Sequence, residues 1–164
     1  MIRRRYLLSS GAAVLAGGAA LALFQRAAGG AQPAATFEVA KSEQEWRTSL
    51  SPLQFAILRK HATEPPFSSP LDYEKRAGMY NCAGCELPVF SSADKFDSGT
   101  GWPSFTRPVE GAVATSEDRS LLMLRTEVHC RRCGGHLGHV FEDGPPPTHQ
   151  RWCINGGALN FRPT

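Results

Sequence analysis

From Ser42 onward the chain switches between two kinds of pattern. Ser42 stands three residues before Glu45, as in a capping box, which predicts a short helix through Trp46 to about Leu50. Ser51 then caps a second helix that carries Pro52 in its first turn, where the missing N–H costs nothing. Leu53, Ala56, Ile57 and Lys60 recur along it at helical spacing. Glu64-Pro65-Pro66 ends it. Beyond that point the chain breaks into short β-type runs at 79–82, 87–91, 112–115, 121–128, 137–141 and 152–161, separated by Gly, Pro, Asn and Asp. Two short N-terminal helices followed by such runs predict a mainly β fold, a small antiparallel β-sheet or open-barrel domain. Cys-x-x-Cys precedes Leu-Pro-Val-Phe and again His-Leu-Gly-His-Val-Phe, so two similar knuckle-plus-strand units are expected.

The first residues follow neither pattern. Arg3, Arg4 and Arg5 precede a mostly Ala/Gly/Leu stretch over 7–24, and small residues fill 27–31, the layout of an export signal. The run Arg3-Arg4-Arg5-Tyr6-Leu7-Leu8 resembles the bacterial twin-arginine signal. A retained membrane anchor is the competing reading, since about 18 apolar residues just span a bilayer. Five Gly or Ser within the stretch favour cleavage near Ala31, where Gly29 and Ala31 fit the small-x-small rule; Arg26 nearby keeps the anchor open. The expected organisation is an export signal over 1–31, a linker over 32–41 and one domain over 42–164, with periplasmic localisation and membrane attachment as the second choice.

Charge changes meaning once this boundary is drawn. The full chain has a formal charge of +3, but 1–31 holds four of the 18 basic residues and none of the 15 acidic ones, leaving fourteen against fifteen. A near-neutral domain without a basic cluster argues against nucleic-acid binding. With 16 Gly and 12 Pro in 164 residues, a long helical bundle or coiled coil is excluded.

The five cysteines divide into four and one. Cys82-x-x-Cys85 and Cys130-x-x-Cys133, separated by 44 residues, can present four thiolates to one structural Zn²⁺. Gly84 and Gly134-Gly135 suit the positive φ of such knuckles. Structural disulfides and a redox Cys-x-x-Cys are the alternatives; a protein folded in a reducing compartment before export favours zinc. Cys153 is left over. In a strand it shares a face with Arg151 and Asn155, while Trp152 and Ile154 point to the core, and a nearby guanidinium lowers a thiol's pKa. Among the histidines, His61 and His149 read as surface residues, and His129 could replace a cysteine ligand. His136 and His139 supply groups that titrate near neutral pH, and Asp143 falls on the same strand face as His139, a carboxylate to orient it.

Gly101-Trp102-Pro103-Ser104-Phe105, Cys130-x-x-Cys133-x-x-His136-Leu137-Gly138-His139-Val140-Phe141 and Arg151-Trp152-Cys153-Ile154-Asn155 together closely resemble the B-type methionine sulfoxide reductases, the peptide-methionine (R)-S-oxide reductases. Glu64-Pro65-Pro66-Phe67 and Asp143-Gly144-Pro145 look like the same family, and the resemblance covers roughly 42–162. It implies a β core with one structural Zn²⁺ held by Cys82, Cys85, Cys130 and Cys133, and Cys153 as the catalytic nucleophile. His139 would be the acid or would organise a water, and His136, Asn155, Arg151 and Asp143 would complete the polar side. Trp102, with Phe105 beside it, would bind the substrate's methyl group. Oxidised proteins or peptides would be the substrates of an expected monomer, and Cys153 would pass through a sulfenic acid.

Two positions depart from the resemblance. Many relatives carry a recycling cysteine where this chain has Thr100, so an external thiol, a thioredoxin-like protein or a small one, is expected to reduce the sulfenic acid. Asn155-Gly156-Gly157 stands where relatives often have Asn-Ser. A non-catalytic zinc module on a similar fold would leave Arg151-x-Cys153-x-Asn155 and the histidine pair without purpose. A Cys-His hydrolase would lack an oxyanion-hole motif and leave the Trp102 segment unexplained.

Overall fold

The computed structural model describes residues 37–120 and 123–164; the region read as an export signal lies outside them, as do 32–36 of the expected linker. The expected Ser42 capping box and the expected Ser51 cap both form, the latter also as a capping box. Ser42 opens α1 (Glu43–Ser49), with its own N–H donating to Glu45 at 2.7 Å, and Ser51 opens α2 (Pro52–Lys60) with Gln54 as its reciprocal partner. The apolar stripe of α2 is rotated from the expected one. Phe55, Ile57 and Leu58 are buried, whereas Leu53 is 50% exposed. Leu58 packs so closely on Gly135 that a Cβ there would stand 2.9 Å from its Cδ2.

Nine strands follow: β1 (Gly78–Cys82), β2 (Pro88–Ser91), β3 (Lys95–Phe96), β4 (Ser104–Phe105), β5 (Val113–Asp118), β6 (Arg125–Cys130), β7 (His136–Phe141), β8 (Arg151–Ile154) and β9 (Leu159–Pro163). They form a three-stranded sheet ordered β2-β1-β9 and a six-stranded sheet ordered β3-β4-β8-β7-β6-β5, each pairing antiparallel. The run expected as one strand over 152–161 is two. Asn155 leaves the ladder, a 3-10 turn over Gly156–Ala158 follows, and the chain crosses from the large sheet to the small one.

Between the sheets lies one core that includes Tyr80, Phe90, Phe105, Val128, Leu137 and Ile154, all fully buried. Phe105 belongs to it: its ring stacks on Phe90 at 4.5 Å and meets Tyr80 edge-on at 5.0 Å. The expectation that Phe105 contacts substrate is therefore corrected, because a residue opposite Trp152 in the β4–β8 ladder faces the core side of the sheet. Residues 37–39, read as linker, run along the second knuckle, where Val39 N–H donates to Arg132 at 3.0 Å. Among the described residues no helix is long and apolar enough to cross a membrane.

Candidate active site

Antiparallel pairing places a row of polar residues across five strands of the large sheet. Ser116 on β5 faces Glu127 on β6, Glu127 faces His139 on β7, His139 faces Cys153 on β8, and Cys153 faces Ser104 on β4. Directly opposed residues carry their side chains on the same face, so His139 and Cys153 are neighbours by register alone. Both line a small cavity of about 140 Å³ together with Trp102, Arg125, Gly138, Phe141, Asn155 and Thr63. Trp102 is held there by its indole N–H, which donates to the Glu64 carbonyl at 3.0 Å.

Residues three apart on a regular strand point to opposite faces, which would separate His136 from His139. A register irregularity opposite Val128 and His129 inserts Leu137 as an extra residue, and the two rings come to 5.4 Å. Each imidazole has its own carboxylate. His139 Nε2 lies 2.8 Å from Asp118 Oδ2, and His136 Nδ1 lies 2.7 Å from Glu127 Oε1. Asp118 also accepts from Arg125 at 2.6 Å and from the Ser120 backbone N–H at 2.8 Å. Burial pushes His139 below its ordinary value against the pull of Asp118, so the ring is neutral at neutral pH.

The expectation that Asp143 orients a histidine is corrected. Asp143 grips Arg151 through two hydrogen bonds of 2.8 and 2.9 Å, and the guanidinium lies over the Phe141 ring at 4.5 Å. Asp118, 21 residues from His139 in sequence, takes the role instead, because the β5–β6 hairpin closes beside β7. The guanidinium does not win at the thiol either. Burial raises Cys153 above its ordinary value, with Arg151 and the Thr100 hydroxyl pulling down and Asp143 pushing up. Thr100 ends a hydroxyl chain that runs through Ser98 to Ser104, the residue opposite Cys153 in the ladder, with links of 2.8 and 2.7 Å.

Asn155 lines the cavity, but its amide is committed: Nδ2 donates to the Leu137 carbonyl at 3.1 Å, and Oδ1 accepts the Glu64 N–H at 3.0 Å. Glu64 stands in a family-like motif of the sequence, which assigned it no role in the site. Its buried carboxylate accepts the N–H groups of Gly156 at 2.5 Å and Gly157 at 2.9 Å, tying the loop that carries Trp102's partner to the turn after Cys153. Gly156 itself admits no side chain, since a Cβ would collide with Ser69 Oγ. Asp118 and Glu127 were likewise missed; their opposition to Arg125 and His139 exists in the ladder, and the sequence shows it only once the register is known.

The four remaining cysteines converge at the far end. Cys82 ends β1 and Cys130 ends β6, each opening a tight turn, and all four Sγ atoms lie within 4.8 Å of one another. Cys82 to Cys133 is 3.7 Å and Cys85 to Cys130 is 3.5 Å, too long for a disulfide and close to the roughly 3.8 Å between thiolates around a tetrahedral Zn²⁺. The residues therefore fit the metal, which would bridge the two sheets. In the second knuckle Gly134 takes the expected positive φ of 67°; in the first the positive φ is at Glu86 and not at Gly84. His129 stands outside the sulfur cluster, edge-on to Phe37, and His149 is exposed.

A family model described as the SelR domain matches residues 50–163. The peptide methionine sulfoxide reductase MsrB of Bradyrhizobium diazoefficiens is 57% identical over 127 residues, covering 77% of this chain and 91% of that protein. The chain belongs to the MsrB family. The MsrB proteins of Agrobacterium fabrum (52% over 127 residues, 77% of this chain and 94% of that protein) and of Methanosarcina barkeri (54% over 125 residues, 76% and 88%) are similarly close. As an MsrB chain, it places its four-cysteine centre and its fifth cysteine at opposite ends of one ladder, with β7 running from the second knuckle to the Cys153 pocket.

Proposed function

We propose that the protein reduces the (R)-sulfoxide of methionine in peptides and proteins to methionine, with Cys153 as nucleophile and an external thiol as reductant. The observation that carries this reading is the cross-strand pair Cys153–His139 in a cavity walled by Trp102 and Phe141. The aromatic wall suits the substrate's S-methyl group, and the cavity is small enough to select one sulfur substituent.

The raised pKa of Cys153 sets how the proton moves. A thiol that stays protonated at rest brings its own proton to the reaction. The sulfur of Cys153 attacks the sulfoxide sulfur, and its proton passes by way of neutral His139 to the sulfoxide oxygen, which Asp118 assists by holding the ring. The protonated oxygen then passes from the substrate sulfur to the Cys153 sulfur as the S–O bond and the transient S–S bond break, so methionine leaves, Cys153 becomes a sulfenic acid, and the first half-reaction consumes no net proton. A thiol of a thioredoxin-like protein or a small molecule attacks the sulfenic sulfur and releases water. A second thiol of the reductant resolves the mixed disulfide and returns Cys153 to the thiol. Thr100 supports the external route, because a hydroxyl stands where the family resemblance would put a recycling cysteine and the other four cysteines lie together in the sulfur cluster.

The decisive assay offers both epimers of a methionine sulfoxide peptide. Turnover of R alone, abolished in Cys153→Ser with zinc content unchanged, is expected; activity surviving that substitution would refute the assignment. Protein treated with limiting substrate and examined by mass spectrometry should show Cys153 sulfenic acid, and an internal disulfide to Cys153 would exclude the external route. The export reading rests on Arg3-Arg4-Arg5 and the apolar stretch after them, with the periplasm as the destination. Replacing Arg3 and Arg4 by Lys should hold the protein in the cytoplasm; unchanged fractionation would refute it.

A further inference from the structure

Beside the Cys153 pocket lies a second cleft of about 610 Å³, walled in part by His61, Glu117, Asp118, Glu127 and His136. One carboxylate oxygen in it is approached by two imidazoles: Glu127 Oε1 lies 2.7 Å from His136 Nδ1 and 2.9 Å from His61 Nδ1. The two rings are 5.0 Å apart, and the three ligand atoms lie within 4.8 Å of one another. Different devices deliver them. His61 is turned into the cleft by a left-handed residue ending α2, at φ 55°, and His136 by the irregular pairing of β6 and β7.

We propose that His61, Glu127 and His136 form a second metal site, which takes a divalent transition ion of octahedral or tetragonal preference such as Ni²⁺ or Cu²⁺. Three features carry this. The donor set, two imidazole nitrogens and a carboxylate oxygen, is the one such ions accept. The ligand atoms are already gathered: both imidazoles meet the same carboxylate oxygen at hydrogen-bond distances of 2.7 and 2.9 Å, and a shift of a few tenths of an ångström gives the roughly 3.0–3.4 Å between adjacent ligands of an ion with bonds of about 2.1 Å. Glu127 also has no Arg or Lys partner among the described residues. Its acidic neighbours do: Asp118 is paired with Arg125, and Glu117 with Arg119. Positions not filled by protein face the open cleft and would hold water.

An ion there places two positive charges in the cleft that Asp118 and His139 also line, which opposes the positive charge His139 gains while it carries the proton. Filling the site therefore slows sulfoxide reduction. This consequence rests on the reductase reading, whereas the binding itself does not.

Calorimetric titration of Ni²⁺ into untagged, zinc-loaded Cys153→Ser protein tests the site without competition from the free thiol. One Ni²⁺ per chain is expected, with paramagnetic broadening centred on the amides of His61, Glu127 and His136, and with zinc retained by elemental analysis. His61→Asn, chosen because Asn tolerates the left-handed backbone, should lose the binding. Absence of saturable binding, binding unchanged in His61→Asn, or broadening centred on the four cysteines would overturn the proposal. In turnover assays Ni²⁺ should slow the wild-type protein and leave His61→Asn, equally active without metal, untouched. Binding as expected with no change in turnover would overturn the inhibition while leaving the site.

Discussion

Replacing Glu64 by Ala removes a carboxylate that touches no substrate yet holds the catalytic corner together. The side chain is 3% exposed and accepts the Gly156 and Gly157 N–H groups at 2.5 and 2.9 Å. In the variant both donors stay behind without an acceptor. Hydrogen bonds to a charged acceptor contribute about 1.5–3 kcal/mol each, so the loss is about 3–6 kcal/mol. For a domain of this size that lowers the thermal midpoint by about 10–20 °C. The turn it releases follows Cys153 directly, and a displacement of this proposed nucleophile by a fraction of an ångström should reduce kcat by about tenfold to a hundredfold with little change in KM. Circular dichroism melting at a fixed excess of Zn²⁺ reads the stability, and turnover well below the variant's midpoint reads the chemistry. A midpoint lowered by less than about 3 °C, or unchanged kcat in folded protein, would show that the glycine N–H groups find other acceptors.

Alkylation of Cys153 by iodoacetamide should rise with pH only above the ordinary thiol range, because burial raises its pKa. Asp143→Asn leaves the Arg151 charge uncompensated and should shift that profile to lower pH; an unchanged or upward-shifted profile would contradict the assigned balance. Thr100→Cys puts a thiol at the end of the hydroxyl chain that leads to Ser104 opposite Cys153, and one equivalent of substrate should then leave an internal disulfide, read by mass spectrometry. Persistence of two free thiols would mean the loop cannot bring them to bonding distance. Stripping the metal should unfold the domain, since a structural Zn²⁺ contributes about 10–16 kcal/mol, comparable to the whole stability of a small domain. A native circular dichroism spectrum without metal would refute a structural role.

Local chemistry was legible in the chain and long-range partnership was not. Ser42 with Glu45 and Ser51 with Gln54 act within three residues, so the capping boxes form where the sequence places them. The paired Cys-x-x-Cys turns converge as expected because tetrahedral thiolate chemistry demands four donors. The stripe on α2 could not be oriented, since Leu53 and Phe55 are both apolar and packing against the second knuckle and the Gly156–Ala158 turn, rather than the period, chose Phe55, Ile57 and Leu58. The run from Trp152 to Phe161 reads as one strand because its residues all suit strands; Glu64, about ninety positions away, ends it. Asp143 falls on the strand face of His139 when read along the chain, while Asp118, 21 residues away, is the carboxylate that meets its ring in space.

The two knuckles also bear on the order in which the chain can fold. Each is the end of a hairpin, β1–β2 or β6–β7, and each can gather two thiolates using contacts a few residues apart. Joining them closes a loop of 44 residues between Cys85 and Cys130, which costs about 3 kcal/mol in chain entropy from the length dependence alone. A metal ion held by one hairpin and captured by the other supplies that closure in a single step. Strands β3, β4 and β5, and with them the Trp102 segment, all lie inside the closed loop. Metal capture would thus shorten the search for most of the large sheet, and the time the Trp102 wall takes to form would become a function of the free concentration of that metal during synthesis.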